Sequence, residues 1–537
     1  MARSLSHSFK CARAVLCFLL ALLVFPALIW FWHFPVWHVW KGVFQALPVM
    51  LLLFSPFFFG GRLGRVWLLV FYALYVSVSI FQSHHIFLYG VPVSAQTFAA
   101  LAETNTMEAL EFAGSTFSFS LLAVVLAALV LPIFPLRELW KLSANFGIHA
   151  RMTAVALITA ALVLTFVRSP ERMWRHDPLW TVGAQYALFD RSRAKLRLLP
   201  KKDPSLFAGY NIASRDDTPL TLVVVVGESA SRRHHGYYGY PRATTPQMGK
   251  RLENMILFSD IISPEAFTAV SHKRVFLMPS ETGPERPPLP LMHMLNAAGA
   301  ETWWISTQYA YASTNSPLTL TADHVVSINT LEDKRQFYDE AVLEELRKVL
   351  ASSAEKTRVV FINIMGSHAI YDSRYPEEFS FFEGKEGMIS RFADDEKARR
   401  EINAYDNSIR YTDHILDGIA EQLEKVPNGA LLYLSDHGQD VYDVEKKGGH
   451  SPKHAVGVEI PFFLWMTPAF QEWRGNAVDD WRKWRDRPGM TDSLGFIIAD
   501  ILDIDIDDPN RIFSPLSSEY QLRKRMSAGK EYCPSGR

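Results

Sequence analysis

LYLSDHGQDVYD, residues 432–443, runs from an apolar, strand-like stretch straight into Ser435, Asp436, His437 and Gly438. Asp and Gly are ordinary turn residues, and a surface turn accounts for these four on their own. Open α/β sheets, however, carry their chemistry just beyond the carboxyl ends of their strands. An ionisable pair directly after an apolar run is therefore either a turn or half of a site. The other strands decide between the two.

From Leu220 onward, apolar runs alternate with helical stretches. TLVVVVGE, NMILFSDII, TWWIS, RVVFINIM, ALLYLSD and IPFFLWM read as six strands. Most are continuously apolar, the pattern of a sheet covered on both faces. Helical patterns lie between them, over Asp339–Leu350 and Glu396–Leu423 for example. This predicts an α/β sandwich. If the strands are parallel, their carboxyl ends share one edge, and Glu228, His368, Asp436 and His437 converge there. Two carboxylates with imidazoles suit Zn²⁺, which takes oxygen and nitrogen ligands. His450 follows on the Gly-rich loop KKGGHSPKH, with His454 as the weaker candidate. A metal with this ligand set implies hydrolysis or group transfer. Transfer by double displacement needs a nucleophile. EAFTAVSHK, residues 265–273, offers both Thr268 and Ser271. A hydroxyl at a helix N-terminus can face a phosphate, and it can equally be a plain N-cap.

The chain has 537 residues, with 55 basic and 56 acidic side chains, a balance that gives no support for nucleic-acid binding. Hydrophobic content is 49%, and the first 170 residues are the densest in Leu, Val, Phe and Trp. Five apolar stretches, near Ala14–Trp32, Val43–Phe59, Val66–Phe81, Phe117–Phe134 and Met152–Val167, are each about long enough to cross a ~30 Å hydrocarbon core. Lys and Arg alternate between the connections: Arg3, Lys10 and Arg13, then Lys41 alone, then Arg62 and Arg65, then none over 82–116, then Arg137, Lys141 and Arg151. The positive-inside rule puts the N-terminus in the cytoplasm and everything after Val167 outside, which in a bacterium with two membranes is the periplasm. The uncharged-by-Lys/Arg connection contains a predicted helix near 94–113, with Thr104 and Glu108 at i, i+4 on one face. That face is either solvated or lines a lipid headgroup site. Residues 168–218 mix Arg and Lys with Trp174, Trp180, Tyr186 and Phe189, as in a helix lying at the headgroup level. The expected organisation is a five-span membrane domain (1–167), an interfacial bridge (168–218) and a catalytic domain (219–537). Cys11, Cys17 and Cys533 are too few and too scattered for an internal disulfide framework.

GESASRRHHGYYGYPRATTP, residues 227–246, resembles the signature of the phosphoethanolamine transferases of Gram-negative bacteria, members of the sulfatase and alkaline-phosphatase superfamily. The similarity continues in MGSHAIYDSRYP (365–376), AYDNSIRYTDHIL (404–416) and SDHGQDVYD (435–443), and extends to the five-span anchor. The resemblance implies a sulfatase-like α/β domain with Zn²⁺ held by Glu228, Thr268, Asp436 and His437. It implies Thr268, rather than Ser271, as the nucleophile, with His368 and His450 at the substrate phosphate in catalytic roles. Thr104 and Glu108 would contact the donor headgroup; Ala100 stands where the family often has Asn. The implied donor is phosphatidylethanolamine, and the implied acceptor is lipopolysaccharide, with a core heptose favoured over lipid A. A monomer in the inner membrane is expected. The rival readings are a phosphoglycerol transferase of the same superfamily and a non-catalytic membrane sensor or scaffold. A hydrolytic sulfatase would need a C/S-x-P-S-R motif, which the sequence lacks.

Overall fold

In a computed structural model of the chain, the described residues are 10, 13–23, 50–89, 92–95, 97–98, 101, 119–142, 148, 151–152, 155–156, 158–160, 163, 177–197 and 209–532, less 279–287, 309–320, 330–336, 353–354, 447, 451–453 and 528–529. The chain divides into two compact units, Met1–Phe98 with Thr106–Ser192, and Ala99–Asn105 with Arg193–Arg537. Thr104 and Glu108 lie outside the described residues, as does the PKKDPS stretch.

The first unit is helical: α1 (Gly61–Tyr89), α2 (Phe119–Val130), α3 (Ile133–Leu142) and α4 (Pro178–Arg197). Within α1, Gly61–Phe87 is the one helix among the described residues that is long and apolar enough to cross a membrane. It contains the third expected span. Leu68, Phe71 and Tyr75 pack into a cluster with Phe18, Phe54 and Phe57, while Leu63, Val66, Val70 and Leu74 are exposed. A helix apolar on its outer face as well as its inner one suits lipid on the outside. The helix Arg13–Leu23 and α2 fall in the first and fourth expected spans. α4 falls within the expected bridge.

The second unit is built on a seven-stranded sheet. In chain order its strands are β1 (Thr221–Gly227), β2 (Met255–Leu257), β3 (Glu301–Ser306), β4 (His324–Ser327), β5 (Arg358–Asn363), β6 (Gly429–Ser435) and β7 (Phe462–Met466). Their order across the sheet is β2-β7-β6-β1-β5-β3-β4. All neighbours from β6 to β4 are parallel, whereas β7 runs antiparallel to both β6 and β2. Two sequence expectations are corrected. NMILFSDII is not one strand: it breaks after Leu257, and Ile261–Ile262 pairs separately with Gly489–Met490. HVVS at 324–327 forms an edge strand that was not anticipated.

The central strands are buried on both faces, which is why they read as unbroken apolar runs. On one face Leu222, Val224 and Val226 join a core with helices α6 (Leu291–Ala297) and α9 (Leu494–Leu502). On the other, Val223 and Val225 meet α7 (Ala341–Leu350) and α8 (Glu396–Leu423). Tyr411, Ile415, Ile419 and Leu423 recur at helical spacing and put one stripe of α8 on the sheet. Asp395 caps α8 by accepting from the amides of Lys397 and Ala398. Register then fixes the site. Gly227 pairs with Ser435, Val226 with Asn363, and Asn363 with Ser306. The residues after these four strand ends therefore emerge side by side.

Candidate metal centre

Glu228 leaves β1 and Asp436–His437 leave β6, all three nearly solvent-free. Thr268 is the first residue of α5 (Thr268–Val275). Its Oγ1 lies 3.3 and 3.2 Å from the two Glu228 carboxylate oxygens and 3.2 Å from His437 Nε2. His437 Nε2 is 3.4 Å from Glu228 Oε1 and 3.4 Å from Asp436 Oδ2. The predicted ligand set thus converges on one point. Ligand atoms of Glu228, Asp436 and His437 lie within 4.8 Å of one another.

The surroundings orient each group. Asp436 Oδ1 accepts from the amides of Ser229 (3.0 Å) and His437 (2.7 Å), while Oδ2 is buried without a hydrogen-bond donor. Glu228 Oε1 accepts from Ser229 Oγ at 2.7 Å, and Oε2 from the Gln308 side-chain amide at 3.2 Å. His437 Nδ1 donates to the Gly438 carbonyl at 2.8 Å. That bond turns Nε2 inward, the usual arrangement behind a metal-binding imidazole. Burial opposes charge on Glu228, but His437, His368 and the Ser229 hydroxyl hold its carboxyl well below the usual range. Asp436 goes the other way: burial and the Glu228 charge push it up to about 7. His437 is disfavoured as a cation by burial, yet Asp436 and Glu228 raise it to about 9. Three inward acceptors, one of them an orphaned carboxylate oxygen, call for a cation between them. Oxygen and nitrogen donors of this kind fit a divalent metal.

Thr268 and Ser271 were left unresolved by the residues alone; their geometry separates them. Ser271 Oγ donates to the Asp436 backbone carbonyl at 2.5 Å, as does Ser263 Oγ, also at 2.5 Å. Ser271 is buried and ties α5 to the ligand loop, whereas Thr268 faces the ligands. The His450 ring stands edge-on to His437 with centroids 4.6 Å apart, and lies 5.5 Å from Phe267. Burial, with His437 alongside, drops His450 to about 3 and keeps it neutral. His368 ends a turn after β5 whose Ser367 amide donates to the Glu228 carbonyl at 3.0 Å. Nδ1 of both His368 and His450 is buried and unmatched. His454 instead pairs with Glu445 at 3.0 Å. Gln308, Ser229 and Ser263 were missed from the sequence. Nothing in their local pattern sets them apart from loop residues.

The sulfatase family matches residues 221–484. The phosphoethanolamine transferase EptC of Escherichia coli strain K12 is 25% identical over 528 residues, covering 90% of each chain. The phosphoethanolamine transferase CptA of Salmonella typhimurium is 26% identical over 530 residues, again with 90% of each covered. Residues 221–484 form a sulfatase-family domain, and along nine-tenths of its length the chain is similar to phosphoethanolamine transferases. Among solved structures, the C-terminal periplasmic domain of Escherichia coli EptC, in complex with zinc, is 26% identical to this transferase. It covers 60% of this chain and 93% of its own, at a TM-score of 0.55. The integral membrane protein lipooligosaccharide phosphoethanolamine transferase A of Neisseria meningitidis shares the fold of the transferase along nearly its whole length. It covers 96% of this chain and 97% of its own, at a TM-score of 0.65 and 17% identity. A helical membrane domain followed by a sulfatase-like α/β domain is therefore the architecture of the transferase.

Proposed function

We propose that this transferase moves phosphoethanolamine from phosphatidylethanolamine to lipopolysaccharide, at a core heptose, on the periplasmic side of the inner membrane. The observation that carries the reading is Thr268 Oγ1 within 3.2–3.3 Å of both Glu228 oxygens and His437 Nε2. Glu228, Thr268, Asp436 and His437 would hold Zn²⁺, supported by the zinc complex of the Escherichia coli relative. Bound there, the ion supplies Lewis acidity, lowering the pKa of the threonine hydroxyl.

In the first displacement Thr268 Oγ attacks the phosphorus of the donor and gives up its proton toward the Glu228 carboxylate. The phosphorus–oxygen bond to diacylglycerol breaks, and a histidine N–H protonates the departing alkoxide. In the second, the acceptor hydroxyl attacks the phosphorus of the phosphothreonine and loses its proton to the same histidine; the phosphorus–oxygen bond to Thr268 breaks, and the threonine oxygen takes back the proton held at Glu228. One proton and one phosphoethanolamine group change hands overall. His368 and His450 would act here; a neutral His450 can donate a ring N–H to a phosphoryl oxygen without adding charge. Thr104 and Glu108 would contact the donor headgroup. The membrane domain over 1–167 and the bridge over 168–218 would keep the 219–537 catalytic domain beside its lipid donor.

Mass spectrometry of lipid A and core fragments tests the reading, comparing cells with the intact transferase, with Thr268→Ala and with none. A phosphoethanolamine mass on core sugar that vanishes in Thr268→Ala is expected. The same mass on lipid A overturns the acceptor, a phosphoglycerol mass overturns the donor, and unchanged lipopolysaccharide favours the scaffold.

A further inference from the structure

The turn that delivers His368 is held by a buried carboxylate that is no part of the metal set. Asp339 lies just before α7, on the crossover from β4 to β5, and is 3% exposed. One of its oxygens accepts from the Met365 amide at 2.9 Å and from Thr307 Oγ1 at 2.5 Å; the other accepts from the Gly366 amide at 2.8 Å. Thr307 follows β3, and Met365 and Gly366 follow β5, so a single side chain ties two neighbouring strand ends together at the edge that carries the site.

Both ties continue to functional groups. Gly366 has φ +50°, and its α-carbon presses on Glu228: a Cβ there would sit 2.9 Å from the Glu228 nitrogen and 3.0 Å from its carbonyl oxygen. The next amide, Ser367, donates to that carbonyl, and His368 N closes the turn on Met365 O at 3.1 Å. The turn is thus clamped between Asp339 on one side and the Glu228 backbone on the other. The second tie runs from Thr307 to its neighbour Gln308. The Gln308 amide bridges the Ile364 carbonyl (2.9 Å) and Glu228 Oε2 (3.2 Å). Parallel backbone N–H bonds to an ionised carboxylate are short and directional. They fix a turn more firmly than neutral partners would.

We propose that Asp339 is a positioning residue for the transfer reaction, setting the turn that carries His368. The proposal rests on the catalytic role given above to His368. It predicts that Asp339→Asn, which turns an amide NH₂ toward a backbone N–H, lowers kcat about 10–100-fold, the range of lost outer partners at metal sites. Zinc content and the thermal midpoint of the full-length protein in detergent should change little.

The deciding experiment is a double-mutant cycle on full-length protein, with phosphatidylethanolamine and purified lipopolysaccharide as substrates. In a His368→Ala background, Asp339→Asn should cost less than about threefold, because the group it positions is gone. If Asp339→Asn costs its full factor in both backgrounds, the positioning role is refuted while the role of His368 stands. If His368→Ala alone costs nothing, the role of His368 fails first and the proposal falls with it. Should Asp339→Asn fail to fold, Thr307→Val, which removes one of the three bonds, is read in the same cycle. A several-fold loss that disappears beside His368→Ala supports the proposal, and a loss that persists refutes it.

Discussion

Gly366→Ala gives a sharp test of how tightly the site is built. Two costs can be separated at this position. Placing a Cβ in a left-handed conformation, here φ +50°, costs roughly 1–2 kcal/mol in any surroundings. The new methyl would also meet the Glu228 nitrogen at 2.9 Å and its carbonyl oxygen at 3.0 Å. Both are backbone atoms and cannot swing aside, so the overlap resolves by a shift of the turn or of Glu228. Overpacking of that kind costs about 1–3 kcal/mol. Gly239 supplies the control: it has φ +96° and nothing within 4 Å of its would-be Cβ. Gly239→Ala should therefore lose roughly 1–2 kcal/mol and keep its activity, whereas Gly366→Ala should lose roughly 2–5 kcal/mol. The activity of Gly366→Ala should fall much further than its stability alone explains, because displacement of a catalytic group by even ~1 Å can cost about 100-fold. Chemical denaturation of the full chain in detergent, followed by tryptophan fluorescence, reads the first quantity; initial transfer rates with folded protein read the second. Equal stability losses at the two glycines, or full activity in Gly366→Ala, would refute the argument that the turn packs directly on Glu228.

Ser271→Ala removes one of two hydroxyls on the Asp436 carbonyl and should cost about 1 kcal/mol of stability. Ser263→Ala with Ser271→Ala should cost more than the sum, since the buried carbonyl then has no hydroxyl donor, and a urea titration of the three variants decides it. His234 sits between Asp406 (2.6 Å) and Asp443 (3.4 Å); burial works against its charge, but the two carboxylates raise it to about 10. A pKa raised above the unfolded value gives stability that is fully present below about pH 6.5 and lost as pH rises through about 10. Unfolding free energies from pH 6.5 to 10.5 should fall in the intact protein, and His234→Gln should flatten that fall. Removal of metal by a chelator should abolish transfer and lower the melting temperature, with zinc restoring both. A ligand at 1,000 times its Kd stabilises by about 4 kcal/mol, so an unmoved melting temperature argues against a tightly held ion.

The sequence showed the sheet through its unbroken apolar runs, because strands covered on both faces have no polar side to alternate with. It hid β4, where Val325 is 39% exposed at the sheet edge and only four residues pair. It also hid the reversed direction of β7, since a buried antiparallel strand is as apolar as a parallel one. That error did no harm to the site, because β1, β5 and β6, the strands that lead to Glu228, His368 and Asp436–His437, are among the parallel ones. Glu228, Asp436 and His437 were legible as ionisable residues at strand ends. Thr268 and Ser271 were not separable by pattern. They lie three residues apart near the start of one helix, and only packing shows that one points to the ligands and the other to a backbone carbonyl. Asp339 and Gln308 were invisible for a related reason: each matters through a partner brought to it by strand register rather than by nearby sequence.

The motifs that gave the family away are mostly scaffold. Of GESASRRHHGYYGYPR, only Glu228 is a candidate ligand. His234, Tyr240 and Arg242 all converge on Asp406 in α8, at 2.6, 2.9 and 2.7 Å. The neighbours of Asp406 serve the same lock. Tyr405 donates to the Ser229 carbonyl and accepts from the Ser231 amide, both at 2.7 Å, and Ser408 donates to Ser367 in the turn before His368 at 2.8 Å. His234 also reaches Asp443, near the start of the loop that leads to His450. One helical segment thus grips the chain after β1, the turn after β5 and the loop after β6, the three places from which site residues emerge. Buried charges are tolerated only when paired and hydrogen-bonded, so a change at any one partner of this block strands the others. A sequence could keep that block and still lose Thr268. The matching motifs therefore identify the framework, and it is the converging set of Glu228, Thr268, Asp436 and His437 that argues for an active transferase.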